Sequence, residues 1–154
     1  MSQPNDFDPQ PAADLLTAAR TGQGARPHDI PATLRPTNAA QAYAVQDRVV
    51  QARGDIAGWK VGAPSPDAEP ARAALTQDSV HVGAVVHLPA GEFLVRGVEA
   101  ELVFQCLTDL APRDVPYAPD EVQRAFGAAH AGIEVCDTRF ATWGGQDALS
   151  RLAD

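Results

Sequence analysis

The chain has few cysteines, and their spacing excludes two common kinds of site. Only Cys106 and Cys136 occur among 154 residues, and no CxxC pair is present. This excludes a disulfide framework and a zinc ribbon, which both need several cysteines at short spacings. Reduced thiols, as in a cytoplasmic protein, are the simplest interpretation.

The sequence also has little that would attract a membrane or a nucleic acid. No run approaches the roughly 18 apolar residues of a membrane-spanning helix. The N-terminal stretch MSQPNDFDPQPAA has neither the basic nor the apolar segment of a signal peptide. The formal net charge is −8, which disfavours phosphate backbones and anionic lipids. We therefore predict a cytoplasmic protein without nucleic-acid or membrane partners, whereas a metal cation is compatible with this charge.

Several common catalytic motifs are missing. The chain has no GxGxxG or Walker loop, no HExxH pair and no GxSxG around a serine. The two thiols have no base at a recognisable spacing, so we expect small core residues. The histidines are expected at the surface or in hydrogen bonds, although two of them would share a face of one strand and leave a zinc role open. They are His28, His81, His87 and His130.

What is present suits one globular domain. With 45% hydrophobic and 21% charged residues, the chain has a normal mixture and is long enough for one core. Residues 1–11 are acidic and proline-rich, which predicts a disordered tail. The remaining residues, 12–154, are predicted to form a single domain.

Periodicity and turn residues predict helices first and then short strands. Helices are expected at 12–22, 37–54, 71–76, 119–132 and from 148. The second helix would be capped by Thr37 or Asn38 and ended by Gly54. Strands are expected at 56–63, 80–88, 92–96, 97–107 and 133–137. This order predicts an α+β fold with a mixed, largely antiparallel sheet.

Two glutamates stand inside the apolar stretch GVEAELVF, residues 97–104. In a strand, Glu99 and Glu101 share one face with Val103 and lie about 6.6 Å apart. Their repulsion is about 2.5 kcal/mol at an effective dielectric constant near 20, and about 0.6 kcal/mol in water. A solvated strand face therefore tolerates both, whereas a closed site requires a cation or a bound proton.

Glu134 is a third acid in an apolar segment, between Ile133 and Val135. Three carboxylates on neighbouring strands could bind Mg²⁺ or Mn²⁺ and leave coordination positions for water and substrate oxygens. A solvated or paired acid is the alternative, and the residues alone leave both open.

Three motifs, in this order, resemble one enzyme family. GWKVG (58–62), GVEAELVF (97–104) and AGIEVCDTRFATW (131–143) resemble the 2-keto-4-pentenoate hydratase group of the fumarylacetoacetate hydrolase superfamily. The helix TNAAQAYAVQDRVV fits the same group, and the resemblance covers about residues 12–154. It implies a fold resembling part of the superfamily's β-roll, truncated at its C-terminal end because members continue with further strands.

The resemblance also implies roles for individual residues. Glu99, Glu101 and Glu134 match the family's metal ligands, with Mg²⁺ or Mn²⁺ as the cofactor. Lys60, after the GW pair, is expected near the substrate, and Asp78 in LTQDSVHVG is a candidate acid/base. An exposed strand lysine and a helix-cap or turn aspartate are the respective alternatives.

Other matches and departures concern the surroundings of this site. Asp137 and Arg139 match a DxR motif and are expected to be structural, paired with each other or with neighbours. His81 stands where the family commonly has an acid, and the loop lacks the family's proline, so the substrate preference near Asp78 is open.

The function implied by the resemblance is a metal-dependent hydratase in aromatic-compound catabolism. It would add water to a small 2-hydroxy-dienoate or 2-oxo-enoate, with the oxo-acid substrate as its small-molecule partner. A 4-oxalocrotonate-type decarboxylase and an acylpyruvate hydrolase of the same superfamily are alternatives. A non-catalytic fragment or subunit is a third. A homo-oligomer, or association with a related full-length subunit, is expected.

Overall fold

The computed structural model describes residues 7–154 and has the predicted α+β composition. Its strands pair antiparallel, as predicted, but they form two separate two-stranded sheets instead of one larger sheet. The helices are α1 (Gln10–Arg20), α2 (Ala39–Arg53), α3 (Pro119–Ala125) and α4 (Ala148–Ala153). The strands are β1 (Ile56–Gly62), β2 (Ala71–Thr76), β3 (Gly97–Cys106) and β4 (Phe126–Cys136). No helix in this described part is long and apolar enough to cross a membrane.

The described chain divides into two compact units. The first consists of the described residues up to Glu92 together with Thr138–Asp154, and the second is Phe93–Asp137. Helices α1, α2 and α4 and the β1–β2 ribbon belong to the first unit, and β3, α3 and β4 belong to the second. Most of the predicted tail, residues 1–6, lies outside the described residues, whereas Gln10 and Pro11 belong to α1.

The core of the first unit is built on the helices. Helix α2 begins as predicted, because the Asn38 side chain accepts a hydrogen bond from the backbone N–H of Gln41 at 3.0 Å. It ends at Gly54, whose φ of 122° suits a residue without a Cβ. The fully buried apolar side chains of this core include Leu16, Ile30, Val45 and Phe140.

Three predictions for residues 71–96 were wrong, one for a strand of the β1–β2 ribbon and two for the segments that follow it. Residues 71–76 (ARAALT) form a strand paired with β1, not a helix, because pairing outweighs the helix propensity of alanine. Residues 80–88 and 92–96 were predicted to be strands, but they form bends and irregular structure, with Glu92 at the end of a 3₁₀ turn. A high content of β-branched residues produces a strand only where a neighbouring strand completes its hydrogen bonds.

The β3–β4 ribbon corrects the predicted helix 119–132. Helix α3 ends at Ala125, and Phe126 is already extended, with φ −109° and ψ 145°. The segment from Phe126 to Gly132, predicted to be helical, therefore belongs to β4, and residues 133–136 of the predicted strand 133–137 form its C-terminal end. Pairing with β3 again outweighs the helix propensity of an alanine-rich stretch.

The two faces of the β3–β4 ribbon differ in polarity. One face is apolar and largely exposed to solvent, with exposed fractions of 72% for Leu102 and 77% for Ile133. The other carries Glu99, Glu101 and Val103, as the alternation predicted. The apolar face consists of Val98, Ala100, Leu102 and Phe104 on β3 and Ala129, Ala131, Ile133 and Val135 on β4.

None of the cysteine and histidine side chains is fully buried. Cys106 is exposed and Cys136 is half-buried, so the prediction that both thiols are core residues was wrong. They lie at opposite ends of the ribbon, because Cys106 pairs with Phe126 and Cys136 with Gly97. All four histidines are exposed, in agreement with the prediction of surface imidazoles.

Candidate metal centre

Strand pairing brings two of the three predicted metal ligands together. Glu99 on β3 and Glu134 on β4 stand directly opposite each other in the antiparallel register. Side chains of directly opposed residues project from the same face with their Cβ atoms about 5 Å apart. One ligand atom of each carboxylate lies within 4.8 Å of the other. Like charges at this spacing destabilise a ribbon unless they are compensated, and a divalent cation between them would do so.

Cys136 joins the two carboxylates. It lies two positions after Glu134 and therefore on the same face of β4, and its Sγ is within 4.8 Å of the ligand oxygens of both glutamates. Its partner across the ribbon is Gly97. A Cβ at position 97 would come within 3.2 Å of the Cys136 Cβ, so glycine makes room for this side chain.

Asp137 fixes the end of the ribbon beside this cluster. Its Oδ1 accepts hydrogen bonds from the backbone N–H groups of Leu94 at 3.0 Å and Val95 at 2.9 Å. These bonds hold the segment before β3 against the residue that follows β4. The predicted structural role of Asp137 agrees with these contacts, and Arg139 is likewise structural, with its Nε 2.5 Å from Asp154 Oδ1.

Glu101 was predicted to be a ligand and is not part of the three-residue cluster. It shares the face of Glu99, is half-buried and stands opposite Gly132. The cluster of the described residues consists of Glu99, Glu134 and Cys136 instead. The sequence contained a signal for the cysteine, because Glu134 and Cys136 have the same i, i+2 spacing as Glu99 and Glu101.

The donor set fits a divalent cation. Carboxylate oxygens suit Mg²⁺ and Mn²⁺, and a thiolate suits softer ions such as Zn²⁺. The three side chains come from two paired strands, which hold ligands more rigidly than loops do. Glu99 is exposed and its two companions are half-buried, so the cluster is accessible to an ion from solvent.

Lys60 belongs to β1 and lies in the first unit. It is half-buried and stands opposite Ala73 in the β1–β2 ribbon. It lines a cleft of about 270 Å³ within that unit, together with Ala71, Arg151 and Leu152. Arg72 and Asp154 also line the cleft, so three cationic side chains and one carboxylate surround small apolar groups. The excess of positive charge suits a small organic anion.

Asp78 lies in a 3₁₀ turn, Gln77–Ser79, directly after β2. Its carboxylate accepts hydrogen bonds from the Thr76 hydroxyl and from Arg53 Nη2, the latter at 2.7 Å. These two donors hold the pKa of Asp78 below its ordinary value because both stabilise the charged form. Asp78 is therefore ionised near neutral pH and can accept a proton but has none to donate.

The contacts of Asp78 predict a pH-dependent contribution to stability. We expect Asp78→Asn to lower the free energy of unfolding by about 0.5–1 kcal/mol at neutral pH, a small value because the side chain is 59% exposed. A lowered pKa stabilises the fold above the ordinary value and loses that effect as the pH falls through the folded value. Urea unfolding at about pH 7 and about pH 3 should show the difference between variant and wild type shrinking in acid.

Asp47→Asn is the matched control, because Asp47 is similarly exposed and lies 4.0 Å from Arg72. Its effect should be close to zero at both pH values. An equal loss for Asp78→Asn at both pH values would show that the ionised carboxylate is not the stabilising group.

Comparisons with known proteins assign no family to this site. No model of a known protein family matches the chain, and no curated protein matches it significantly. The chemistry of the site is therefore inferred from its own residues and from the motifs that they form.

Proposed function

We propose that the chain is a divalent-metal-dependent hydratase of the 2-keto-4-pentenoate type. The observation that carries the proposal is the direct opposition of Glu99 and Glu134, with ligand oxygens within 4.8 Å. These are two of the three residues that the motif resemblance assigns to the metal. The proposal includes the fold, in which the two ribbons would be parts of the superfamily's β-roll.

Glu99 and Glu134 would hold Mg²⁺ or Mn²⁺, and Glu101 on the same face would add a third carboxylate. A bound ion would supply Lewis-acid stabilisation of the enolate oxygen of a 2-oxo acid. Carboxylate ligands leave coordination positions open for substrate oxygens because Mg²⁺ and Mn²⁺ accept about six donors. The protein's net charge of −8 gives no general attraction for an anionic substrate, so the attraction has to be local.

The motif resemblance gives Lys60 and Asp78 roles on the organic part of the substrate. Half-burial of Lys60 strengthens the interaction of its ammonium group with a carboxylate or enolate oxygen, because water screens it less. Asp78, kept ionised by Arg53 and Thr76, would orient the water that adds to the double bond or accept its proton. The cleft at Lys60, about 270 Å³, suits a substrate of only a few carbon atoms.

The direct test is turnover of 2-hydroxypenta-2,4-dienoate by the purified chain. We expect the diene absorbance to disappear with Mn²⁺, to persist in excess chelator and to disappear again when Mn²⁺ is restored. Two further substrates separate the alternatives: release of CO₂ from 4-oxalocrotonate would indicate a decarboxylase, and carbon–carbon cleavage of an acylpyruvate would indicate a hydrolase, whereas a hydratase adds water to the dienoate. A chain that binds Mn²⁺ but turns over no substrate of the three classes would contradict catalysis and favour the non-catalytic alternative.

A further inference from the structure

Cys136 is the member of the cluster that the proposed hydratase does not use. Its Sγ and one oxygen each from Glu99 and Glu134 lie within 4.8 Å of one another. We propose that Cys136 is a metal ligand, so that the site binds a thiophilic divalent ion of the Zn²⁺ and Co²⁺ class through two carboxylates and one thiolate. The inference rests on the proposed function only in taking Glu99 and Glu134 as ligands.

The observed spacing is close to that of a formed site. Zinc bonds of about 2.1 Å to oxygen and about 2.3 Å to sulfur place neighbouring tetrahedral donors roughly 3.6 Å apart. Starting from separations of up to 4.8 Å, each pair has to close by at most about 1.2 Å. Rotation of the two glutamate side chains supplies this movement, because each has several torsions between its Cα and its carboxylate.

The backbone around Cys136 is already fixed. Gly97 faces it so closely that a Cβ at this position would be only 3.2 Å from the Cys136 Cβ, and Asp137 ties the adjoining chain ends together through Leu94 and Val95. The thiol is therefore held beside the carboxylates by regular strand pairing. A site whose donors are preorganised loses less conformational entropy when the ion binds.

Coordination by Cys136 determines which ions bind well. The thiol transfers its proton to solvent as the metal–sulfur bond forms, with no change in oxidation state. Mg²⁺ gains little from a thiolate, whereas Zn²⁺ and Co²⁺ gain strongly. The cluster should therefore prefer Zn²⁺ and Co²⁺ over Mg²⁺, a preference that three carboxylates alone would not give.

Cys106 provides an internal control. It lies at the other end of the ribbon, is exposed, and its Sγ contacts the backbone carbonyl oxygen of Thr108 at 3.2 Å. An ion bound at the cluster has no reason to alter its reactivity. The two thiols are distinguished by mass spectrometry after alkylation, and Cys106→Ser leaves Cys136 as the only thiol.

The test combines cobalt spectroscopy with alkylation of the full chain. We expect Co²⁺ to give a near-ultraviolet thiolate charge-transfer band with wild type and with Cys106→Ser, and no such band with Cys136→Ser. Zn²⁺ should slow alkylation of Cys136 by iodoacetamide and leave that of Cys106 unchanged. Cys136→Ser should weaken Zn²⁺ binding by at least about 10-fold.

Two results would overturn the proposal, and they differ in what else they remove. In the first, wild type and Cys136→Ser bind Mn²⁺ and Zn²⁺ with equal affinity, Co²⁺ gives no thiolate charge-transfer band, and Zn²⁺ does not protect Cys136 from alkylation. This result excludes Cys136 as a ligand and leaves the carboxylate site intact. In the second, the chain binds none of Mn²⁺, Co²⁺ and Zn²⁺, which excludes both the Cys136 ligand and the carboxylate site of the proposed function. If the serine variant misfolds, protection of Cys136 in the wild-type chain decides, since it needs no substitution.

Discussion

Glu134→Gln should abolish manganese-dependent turnover and weaken Mn²⁺ binding by at least about 100-fold. Glutamine has nearly the size of glutamate but no charge, so the variant removes one of the two carboxylates that face each other across β3 and β4. An amide oxygen is a poor substitute for a charged ligand of a hard cation. The strand pairing does not depend on this side chain, so far-ultraviolet circular dichroism should be unchanged. Titration calorimetry with Mn²⁺ and steady-state kinetics measure the two effects.

Glu69→Gln is the control for charge alone, because Glu69 is exposed in the segment between β1 and β2. It should leave both affinity and turnover at wild-type values. Glu101→Gln then tests whether the third carboxylate of this face contributes, as the motif resemblance implies. Retention of Mn²⁺ affinity by Glu134→Gln would show that the opposed carboxylates do not bind the ion.

The alternation of side chains predicted which residues share a face of β3 but not what lies opposite them. A period of two places Glu99 and Glu101 together from sequence alone. The register with β4 decides that Glu134 opposes Glu99 and that Gly132 opposes Glu101. Register depends on a distant segment, and here the alanine-rich start of that segment, FGAAHAG, had the composition of a helix.

Local signals were reliable where the determining contacts are local. Helix α2 begins at its Asn38 cap and ends at Gly54, within a residue or two of the predicted ends. The partner of Asp78 could not be predicted in this way, because Arg53 is distant in sequence and approaches it only when β2 folds back along β1. The lowered pKa of Asp78 follows from the hydrogen bond of the Thr76 hydroxyl, two residues away, together with that tertiary contact.

The separation of the strands into two ribbons also could not be predicted from the sequence. Residues 80–88 are rich in valine, and this composition favoured a strand that would have enlarged the sheet. The structure leaves Val82 97% exposed in that segment. Strand propensity describes how a side chain packs on a sheet, and it carries no information about whether a neighbouring strand is available.

Lys60→Ala should reduce turnover by about 100-fold while Mn²⁺ affinity stays close to wild type. Removing one preorganised cationic or hydrogen-bonding group from a developing oxyanion typically has an effect of this size. None of the proposed metal ligands belongs to β1, so the affinity for the ion should be unaffected. If Lys60 acts mainly on the transition state, kcat falls and KM changes little; if it binds substrate and transition state equally, KM rises. Kinetics with Mn²⁺ at saturation separate the two cases.

Lys60 is the only lysine in the chain, which allows a second and independent measurement. Reductive methylation modifies only this side chain and the N-terminal amine. In Lys60→Ala only the N-terminal amine is left to react, so this variant measures the effect of methylating that amine on activity. A substrate analogue such as a small 2-oxo acid should slow methylation of Lys60 if the two are in contact. Lys60→Arg keeps the charge in a larger, planar group and should restore only part of the activity. Full activity in Lys60→Ala would exclude a role for this residue in the reaction, and a large loss of Mn²⁺ affinity would place it at the metal instead.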